Sequence, residues 1–476
     1  ELVGYIYLFE SYNLAHIPID FISSTLGWQE IDGNLCFLLG RNYLIQSKAA
    51  ESVEDGSNPA VKLKFEGDDA GDVQLAKSMV RKGSRKSFLE LFETVSEYPV
   101  PVFMICGGLA APLLEIFGQS SFSIDQHGPT TIGKTTCLQI AADMWGNPII
   151  GSPDTIIKSW NSTDVYIERT LGLLNGVPLF LDDTKLSSKP DILSKVVYGT
   201  ASGLGRGRGS ILGTAETRTW RTVVLSTGEN KLTDLVNRGD GGAHARVLSV
   251  SLAPFSRVNR RISDVIAGLH KIISQNYGVP SKIFLRYIIK YQPLWRDWQA
   301  EFDEITKHYK DKSLKSSIVA RMAPYMASVH MAGKLAETAL RVNLNIEAHM
   351  ATVWENIAAE ASKSSNIALE ALKWVVAQAI SKQDQFWTPD KFNDHPPLTG
   401  WLGKWNTGDD LAIISSWLFD TLEKRGYEPN SIVREWSAKR WLKPPRERKG
   451  LTIKVKVGKE RPRCYIVKRR IIDKYC

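Results

Sequence analysis

Residues 128–135 carry the pattern G-x-x-x-x-G-K-T, in which a lysine and a hydroxyl follow two spaced glycines. Glycine lets the backbone wrap closely around a ligand, so that successive N–H groups point at phosphate oxygens. In that arrangement Lys134 reaches the β- and γ-phosphates, and the Thr135 hydroxyl ligates Mg²⁺. The apolar run 122–125 predicts a strand before the pattern, and residues 136–145 predict a helix after it. Because a helix N-terminus favours an anion, this stretch predicts a nucleoside triphosphate site that uses ATP and Mg²⁺.

The predicted cofactor-binding residues all lie in this loop and at the start of the helix that follows it. They are Gly128, Pro129, Thr130, Thr131, Ile132, Gly133, Lys134, Thr135 and Thr136. Strand, loop and helix come in the order that a phosphate-binding loop requires. We therefore favour this interpretation over a chance match in a glycine-rich turn.

A second set of candidates ends an apolar run, residues 177–183, which reads Val-Pro-Leu-Phe-Leu-Asp-Asp. Such a run predicts a buried strand that delivers two carboxylates to the carboxyl edge of a sheet, beside the phosphates. We predict that Asp182 binds Mg²⁺ together with Thr135, and that Asp183 polarises the attacking water as a general base. An apolar run with two aspartates is common by itself, but its place after a phosphate loop makes it informative.

The next apolar run, residues 221–227, ends in a threonine and is followed by Gly-Glu-Asn. Polar groups at the tip of such a strand can contact the γ-phosphate or the attacking water. Thr227 and Glu229 are therefore further catalytic candidates. An ordinary strand-ending turn is the alternative.

Two arginines complete the catalytic candidates. Arg246 precedes another strand-like run, and its guanidinium could reach the nucleotide of a neighbouring subunit as an arginine finger. A surface salt bridge is the alternative for this residue. Arg321 opens a predicted amphipathic helix over 322–340 and could lean over the γ-phosphate of its own chain. For Arg321 an ordinary charge at a helix start is the alternative.

Basic residues that could contact a phosphate backbone concentrate in two places. The Gly-rich stretch 203–209 and residues 211–220 could form a hairpin whose tip presents two arginines. A flexible loop with incidental charge is the alternative. The second place is the C-terminal end, where a dense basic cluster suggests a polyanionic partner and a solvated face is the alternative. The predicted DNA-binding residues are Arg206, Arg208, Lys454, Lys456, Arg461 and Arg463.

The C-terminal residues also indicate a particular kind of module. Residues 411–424 and 431–440 predict two helices, and residues 451–457 with 463–467 predict a two-stranded wing. Two helices followed by a basic hairpin are typical of a winged helix, a relative of the helix-turn-helix modules that bind DNA. Winged helices also mediate protein interactions, so both partners remain open for this module.

The composition is that of a soluble globular protein, with 476 residues, 43% hydrophobic and 23% charged. Lys and Arg number 60 against 51 Asp and Glu, which gives a net charge of +9. The five cysteines contain no C-x-x-C pair, which fits a reducing interior, and we expect a cytoplasmic protein. No apolar run approaches the roughly 20 residues of a membrane helix, so no membrane partner is expected.

These elements, in this order, resemble AAA+ ATPases of the superfamily III and MCM helicase branch. Within that branch the chain resembles the MCM-like replicative helicases of bacterial mobile elements, a family catalogued as domain of unknown function 927. The resemblance extends over residues 95–345, and the stretches AADMWGNP and SWNSTDVYIE are its more specific parts. The matching stretches are residues 128–136, 141–148, 159–168, 180–183, 225–229 and 241–246.

The resemblance implies a homo-hexameric ring with nucleotide sites at subunit junctions, where Arg246 would find its acceptor. It also implies that the hairpin projects into a central pore and grips DNA, with a primase or an initiator as a further partner. Two features depart from the family pattern. Asp183 stands where relatives usually have Glu, and the Gly-rich loop carries Arg206 and Arg208 where relatives more often have Lys beside Arg.

The predicted fold class is therefore α/β, with an AAA+ P-loop core, a small N-terminal β-containing domain, a helical segment and a C-terminal winged-helix domain. The predicted boundaries are 1–95 for a collar or docking module, 96–345 for the core with a helical lid, 346–405 for the helical segment and linker, and 406–476 for the winged helix. Three functions fit, in order of preference. They are an ATP-dependent DNA helicase, a non-translocating origin-binding initiator or loader, and an NTP-dependent scaffold without a nucleic-acid partner.

Overall fold

The structure is a computed structural model, and its two compact units are described separately. The first unit contains Glu1–Leu232 and Arg246–Ile357, and the second contains Thr233–Ala245 and Ala358–Cys476. The residues that the structure describes are 2–13, 21–31, 33–41, 43–46, 63–187, 190–210, 213–214, 216–236, 245–255, 260–313, 316–364, 367–389, 396–398, 400–406, 409–445 and 450–476.

The first unit begins with a helix and two small sheets. Its first elements are α1 (Leu2–Asn13), β1 (Phe21–Ser23), β2 (Leu26–Ile31), β3 (Asn34–Leu39), β4 (Tyr43–Gln46), β5 (Leu63–Phe65), α2 (Ala70–Ser78) and α3 (Arg85–Val95). Strands β2, β3 and β4 form an antiparallel meander, and β1 pairs with β5 in parallel. No residue of α1 is buried in this unit.

The centre of the first unit is a five-stranded sheet with helices on both sides. The elements are α4 (Pro99–Ala110), α5 (Leu113–Ile116), β6 (Phe122–His127), α6 (Lys134–Asp143), β7 (Ile157–Ser159), α7 (Asp164–Leu173), β8 (Leu174–Asn175), β9 (Leu179–Asp182), α8 (Pro190–Ser202), β10 (Gly209–Ser210), β11 (Gly213–Thr214), β12 (Val223–Gly228) and β13 (Val247–Val250). A division between the units falls after the first residue of the short helix α9 (Leu232–Leu235). The strand order is β13-β6-β12-β9-β7, and every neighbouring pair is parallel. All five strands therefore end at one carboxyl edge.

The strands of this sheet are apolar because helices cover them. Every residue of α4 after Pro99 is buried, which explains why this helix is hydrophobic on all sides. Its Gly107 lets the helix approach the sheet, since a Cβ there would lie 2.3 Å from Ile124 Cδ1 on β6. Strand β8 pairs with β2, so the meander near the N-terminus is hydrogen-bonded to the central part of the same unit.

A run of helices completes the first unit. They are α10 (Arg260–Ile273), α11 (Pro280–Lys290), α12 (Trp295–Asp311), α13 (Ser317–Leu340) and α14 (Ile346–Ser364), and the division between the units falls inside α14. Helix α13 is capped by the Ser316 hydroxyl and ends at Arg341, whose φ is +58°. Helices α12 and α13 pack side by side, and α13 also packs on α4.

The second unit combines a mixed sheet with helices. Its elements are α15 (Ile367–Ser381), β14 (Phe386–Trp387), β15 (Gly403–Lys404), β16 (Leu411–Ile414), α16 (Ser415–Lys424), α17 (Pro429–Ala438), β17 (Ile453–Lys454), β18 (Arg463–Val467) and α18 (Arg469–Tyr475). The sheet order is β14-β15-β16-β18-β17. Leu418, Trp436 and Val467 lie in a core between the sheet and the helices, with Val375 of α15.

The mixed α/β fold with a parallel sheet, predicted from the sequence, is confirmed. The domain boundaries at 95, 345 and 405 stay a prediction, because the two compact units do not show where independently folding domains begin and end. Among the described residues, no helix combines the length and the apolarity that a bilayer crossing requires. Four cysteines are buried and Cys476 is exposed.

Candidate nucleotide site

The phosphate loop connects β6 to α6 at the carboxyl edge of the sheet. Gly128 has a φ of +148°, and Gly133, the N-cap of α6, has a φ of +89°. A Cβ on Gly133 would also lie 2.8 Å from the Phe255 ring, so glycine is required there for both backbone and space. Thr131 adopts a left-handed φ of +64° between them. The loop therefore ends with the free N–H groups of a ten-residue helix, which is the arrangement that binds phosphate.

Lys134 lies over its own loop. Its Nζ donates hydrogen bonds to the carbonyl oxygens of Gly128, at 2.9 Å, and Pro129, at 2.6 Å. Burial lowers the pKa of the Lys134 ammonium below its usual range, while the carboxylates of Glu229, Asp183 and Asp182 act in the opposite direction. The ammonium is thus placed among the loop carbonyls and close to three acids.

Asp182 joins the three elements that the sequence predicted to form the site. Its Oδ1 accepts a hydrogen bond from Thr135 Oγ1 on α6 at 3.2 Å and another from Thr227 Oγ1 on β12. This convergence follows from the strand order, because β12 lies between β6 and β9. A hydroxyl and a carboxylate oxygen side by side are the ligands that Mg²⁺ takes from a protein when phosphates and waters supply the rest.

Asp183 has an unusual backbone and a side chain that is already engaged. Its φ is +58°, and its carboxylate accepts a hydrogen bond from the backbone N–H of Lys185 at 3.1 Å, which caps a short 3₁₀ turn. Its own N–H donates to Thr227 Oγ1 at 3.2 Å. A left-handed non-glycine residue at such a place is a strain that the surrounding contacts must hold. The structure therefore places Asp183 in the site but turns its carboxylate toward Lys185.

Glu229 follows the end of β12 and pairs with a residue that the sequence did not point to. Lys185 Nζ lies 3.3 Å from Glu229 Oε2 and 3.4 Å from Oε1. Lys185 belongs to no sequence motif, because it is a single lysine two residues after Asp183. Only the fold brings it to Glu229. Thr136 makes a second unforeseen contact, because its hydroxyl lies 3.1 Å from His270 Nε2 on α10.

Trp160 supports the site from beneath. Its indole Nε1 donates to Ser226 Oγ at 2.9 Å, and its backbone N–H donates to the Asp182 carbonyl at 3.2 Å. The side chain is fully buried. Trp160 belongs to the stretch SWNST, which is one of the more specific parts of the family resemblance. That resemblance drew attention to the stretch but assigned no role to the tryptophan. The structure shows that it joins the ends of β7, β9 and β12.

The two candidate arginines do not lie beside the loop of their own chain. Val247 pairs with Ser123 at the start of β6, so Arg246 stands at the amino edge of the sheet, roughly 20 Å from the loop along β6. Its guanidinium carbon lies 5.2 Å from the centroid of the Tyr198 ring. An arginine finger acting on a neighbouring subunit stays a prediction for Arg246. The stretch 241–244 lies outside the described residues.

Arg321 is exposed in the first turns of α13, and the start of this helix also lies at the amino edge. Tyr325, one turn later, stacks on Phe122, the first residue of β6, with 4.8 Å between the ring centroids. The interpretation in which Arg321 leans over the γ-phosphate of its own chain is therefore corrected. The first turns of the helix lie beside the start of β6, at the end of that strand away from the loop.

The Gly-rich stretch forms a hairpin, but its arginines are not at the tip. Strands β10 and β11 pair in antiparallel fashion, and the connecting residues 211–212 lie outside the described residues. Arg206 and Arg208 precede β10 and pair with acids on α7 instead. Arg206 Nη1 lies 2.9 Å from Asp164 Oδ2, and Arg208 Nη2 lies 3.0 Å from Glu168 Oε1. The sequence placed the cations on the loop but could not show their partners.

The four residues of the second unit that were predicted to bind DNA lie on and beside its β17–β18 hairpin. Lys454 of β17 is the register partner of Arg463 on β18, so two exposed cations stand directly opposite each other. Lys456 Nζ lies 6.0 Å from the centroid of the Trp387 ring, and Arg461 is exposed in the turn between the strands. Like charges opposite each other destabilise a strand pair unless an anion neutralises them.

Comparisons with known proteins agree with this description. Residues 3–220 match the model of a family described as "Domain of unknown function (DUF927)". A solved structure described as "SCCmec type IV Cch - active helicase" has a TM-score of 0.74 and 15% sequence identity, and the alignment covers 98% of this chain and 83% of that chain. No curated protein matches the chain. The chain is thus similar to the DUF927 family over residues 3–220, and its fold is similar to that of a structure described as an active helicase.

Proposed function

We propose that this chain is an ATP-dependent DNA helicase with an AAA+ core, of the MCM-like branch, which acts as a ring hexamer in the replication of a mobile element. The observation that carries the proposal is the hydrogen-bonded group of Thr135, Asp182 and Thr227 beside the phosphate loop. Three separate elements supply these residues, and the strand order brings them to one place. The strand order β13-β6-β12-β9-β7 places β12, which carries Thr227, between the strand before the loop and the strand that ends in Asp182.

The residues of the site have separate roles in this proposal. Thr135 and Asp182 would hold Mg²⁺, and the N–H groups of the loop and Lys134 would bind the phosphates of ATP. The bound nucleotide supplies the phosphoryl group that water attacks. Asp183 and Glu229 are the two carboxylates that can take the proton of that water. Thr227 holds Asp182 and the backbone of Asp183 in position.

The second unit supports DNA as the partner. Helices α16 and α17 are joined by a four-residue turn and followed by the β17–β18 hairpin, as a winged helix requires. Lys454 and Arg463 lie opposite each other and repel, and a phosphate bound between them would neutralise that repulsion. In a ring, Arg246 would act on the nucleotide of the adjacent subunit. A primase or an initiator is the further partner that we propose.

The test is unwinding of a forked DNA in the presence of ATP and Mg²⁺. We expect displacement by the wild type and none by Lys134→Ala. The matched control is Lys86→Ala, which removes an exposed lysine from α3 in the same unit. If Lys134→Ala unwinds as well as Lys86→Ala does, the loop is not the motor and the proposal fails.

The second candidate function is a non-translocating initiator or loader that binds and melts an origin. The helix pair α16–α17 favours it, because such a pair commonly reads duplex DNA. Hydrolysis that DNA stimulates, without strand displacement by the wild type, would support this function instead of the helicase. DNA affinity that does not fall between about 50 and 200 mM salt would point away from phosphate contacts and toward a scaffold ATPase without a nucleic-acid partner.

A further inference from the structure

The two arginines of the Gly-rich stretch belong to a network of five charges, in which they meet Asp164 and Glu168 of α7 and Lys195 of α8. Arg206 Nη1 and Lys195 Nζ lie 2.9 Å and 3.2 Å from Asp164 Oδ2. Arg208 Nη2 lies 3.0 Å from Glu168 Oε1. Glu168 also accepts a hydrogen bond from the Arg206 backbone N–H at 3.1 Å, and its Oε2 lies 3.8 Å from Arg206 Nε. The two carboxylates thus hold both the side chains and the backbone that lead into the hairpin.

The return strand of the hairpin is held as well, at a separate place. Arg218 Nη2 lies 2.9 Å from Asp68 Oδ2, and the Arg218 carbonyl accepts a hydrogen bond from the Gly205 N–H at 2.8 Å. Gly172 of α7 makes room for the Arg218 side chain, since a Cβ on Gly172 would lie 2.6 Å from Arg218 Cδ. The base of the hairpin is therefore fixed against α7 independently of Arg206 and Arg208.

Helix α7 connects this network to the nucleotide site. Ser159 at the end of β7 is the register partner of Asp182, and the Trp160 N–H donates to the Asp182 carbonyl. The Thr163 hydroxyl then caps α7 by accepting from the Tyr166 N–H at 3.1 Å. Asp164 is the first residue of that helix and Glu168 lies one turn further along. A few residues thus separate the proposed Mg²⁺ ligand from the carboxylates that hold the arginines.

We infer that Asp164 and Glu168 are positioning residues that occupy Arg206 and Arg208 in place of nucleic-acid phosphates, so that a single strand must displace these carboxylates when it binds. The inference rests on the proposed function for the identity of the ligand. Helix α7 thereby controls how strongly the hairpin binds a single strand. The partner is a phosphodiester backbone, recognised by two guanidinium groups without regard to base.

The exposure of the four side chains allows the arginines to exchange carboxylate partners for phosphates. The side chains of Arg206 and Arg208 are 48% and 41% exposed, whereas those of Asp164 and Glu168 are 20% and 15% exposed. The arginines can therefore meet a strand while the carboxylates remain behind them. Half-exposed ion pairs are weak, so their replacement by phosphate contacts is feasible. Burial acts to raise the pKa of Asp164, but hydrogen bonds from Arg206 and Lys195 outweigh it and keep that pKa below its ordinary value.

The test measures binding of a fluorescein-labelled oligothymidylate to the full chain by anisotropy, over a series of salt concentrations. We expect Glu168→Gln to bind about 3- to 30-fold more tightly than the wild type, the range that two half-exposed ion pairs supply. We also expect the plot of log affinity against log salt to steepen by about 0.7 for each arginine released. Glutamine still accepts from the Arg206 N–H, so the backbone contact is kept.

The matched control is Glu216→Gln, which changes the net charge equally at an exposed carboxylate beside the hairpin. It should leave affinity and salt slope near those of the wild type. Asp164→Asn should act as Glu168→Gln does, and Glu168→Asp, which keeps the charge, should restore most of the wild-type behaviour. In the Glu168→Gln background, Arg206→Ala/Arg208→Ala should remove the gain. A gain that survives this double substitution, or appears equally in Glu216→Gln, overturns the inference.

A purely structural role makes the opposite prediction. If the ion pairs only order the hairpin for binding, Glu168→Gln weakens the complex, which also overturns the inference. The proposed function fails in a different way. A wild type that binds the oligothymidylate but neither hydrolyses ATP nor unwinds a fork refutes the helicase and leaves the effect of Glu168→Gln on binding intact. Where hydrolysis is present, Glu168→Gln should lower the DNA concentration for half-maximal stimulation.

Discussion

Thr227 shows how a single residue in the site differs from its expected role. The sequence predicted a contact with the γ-phosphate or the attacking water. In the structure its hydroxyl donates to Asp182 and accepts from the Asp183 N–H. The residue was found because it ends an apolar strand, whereas its partners depend on the neighbouring strand, which no local pattern specifies. Its expected role is now to hold the two aspartates.

We therefore predict that Thr227→Val lowers the rate of ATP hydrolysis about 10- to 100-fold, because two hydrogen bonds of a buried group are lost. The affinity for ATP should change little, since Thr227 does not belong to the loop. The measurement is kcat and KM for ATP, with Thr227→Ser as the control that restores the hydroxyl. Equal losses in the Val and Ser variants would contradict this role.

Two single residues, Asp183 and Glu229, are the candidates for the general base. The Asp183 carboxylate accepts a hydrogen bond from the backbone N–H of Lys185, whereas Glu229 pairs at 3.3 Å with the exposed ammonium of that lysine, a side-chain contact that can open when nucleotide binds. We predict that Glu229→Gln lowers kcat for hydrolysis more than Asp183→Asn does, by at least about tenfold for loss of the base. The inverse order would return the role to Asp183, as the position of that residue in the sequence first suggested.

Most elements that depend on local pattern were predicted well, but the helix predicted over 411–424 begins only at Ser415, because residues 411–414 form strand β16 in the middle of the sheet of the second unit. Features that depend on distant partners were not predicted. The strand before the phosphate loop, the loop itself and the strand that ends in Asp182 follow from apolar runs, glycines and turns. The pairing of Arg206 with Asp164 joins two segments by charge alone, and the sequence predicted exposed cations at a hairpin tip. The start of α13 lies at the amino edge because this helix packs against α4 and β6. No local pattern shows that packing, so the predicted position of Arg321 over the γ-phosphate of its own chain was wrong.

Two glycines within helices give a test of packing between elements. A Cβ on Gly333 of α13 would lie 2.6 to 3.1 Å from three side-chain atoms of Ile346, whereas a Cβ on Gly268 of α10 would meet nothing within 4 Å. We predict that Gly333→Ala destabilises the first unit by about 1–3 kcal/mol. Gly268→Ala should stabilise it by about 0.5–1 kcal/mol, through helix propensity.

The measurement is the shift in thermal midpoint of the two variants, read in parallel. In a double-mutant cycle, Gly333→Ala should cost less in an Ile346→Ala background than in the wild type, because the side chain that causes the clash is shortened there. If Gly333→Ala and Gly268→Ala shift the midpoint in the same direction, the close contact between α13 and the start of α14 is not as described.

At the scale of the whole molecule, charge distinguishes the second unit. The chain has a net charge of +9, and Lys454 and Arg463 face each other on the edge hairpin of the second unit. Other cations of this unit are neutralised locally, since Lys424 pairs with Asp420 and Lys439 pairs with Glu435. Composition could indicate a polyanionic partner, but the fold was needed to show which cations oppose each other.

We predict that Lys454→Ala/Arg463→Ala weakens duplex binding and reduces the slope of log affinity against log salt by about 1.8, which corresponds to two phosphate contacts. The control is Lys424→Ala/Lys439→Ala, which removes the same charge from pairs that are already neutralised within their helices. Similar slopes for the two double variants would show that net charge, and not the hairpin, governs binding.

The distribution of the cysteines has a practical consequence. Burial raises the pKa of the Cys36 and Cys464 thiols to about 11 and raises that of Cys106 and Cys137 as well, so these four are shielded and poorly ionised. Burial also raises the pKa of the Cys476 thiol, but Cys476 is exposed after α18 and is the cysteine that a reagent can reach. A maleimide dye should therefore attach at one place in the folded chain. Without any engineered substitution, the protein offers a single fluorescent reporter on the unit that carries the basic hairpin, suited to following DNA binding one molecule at a time.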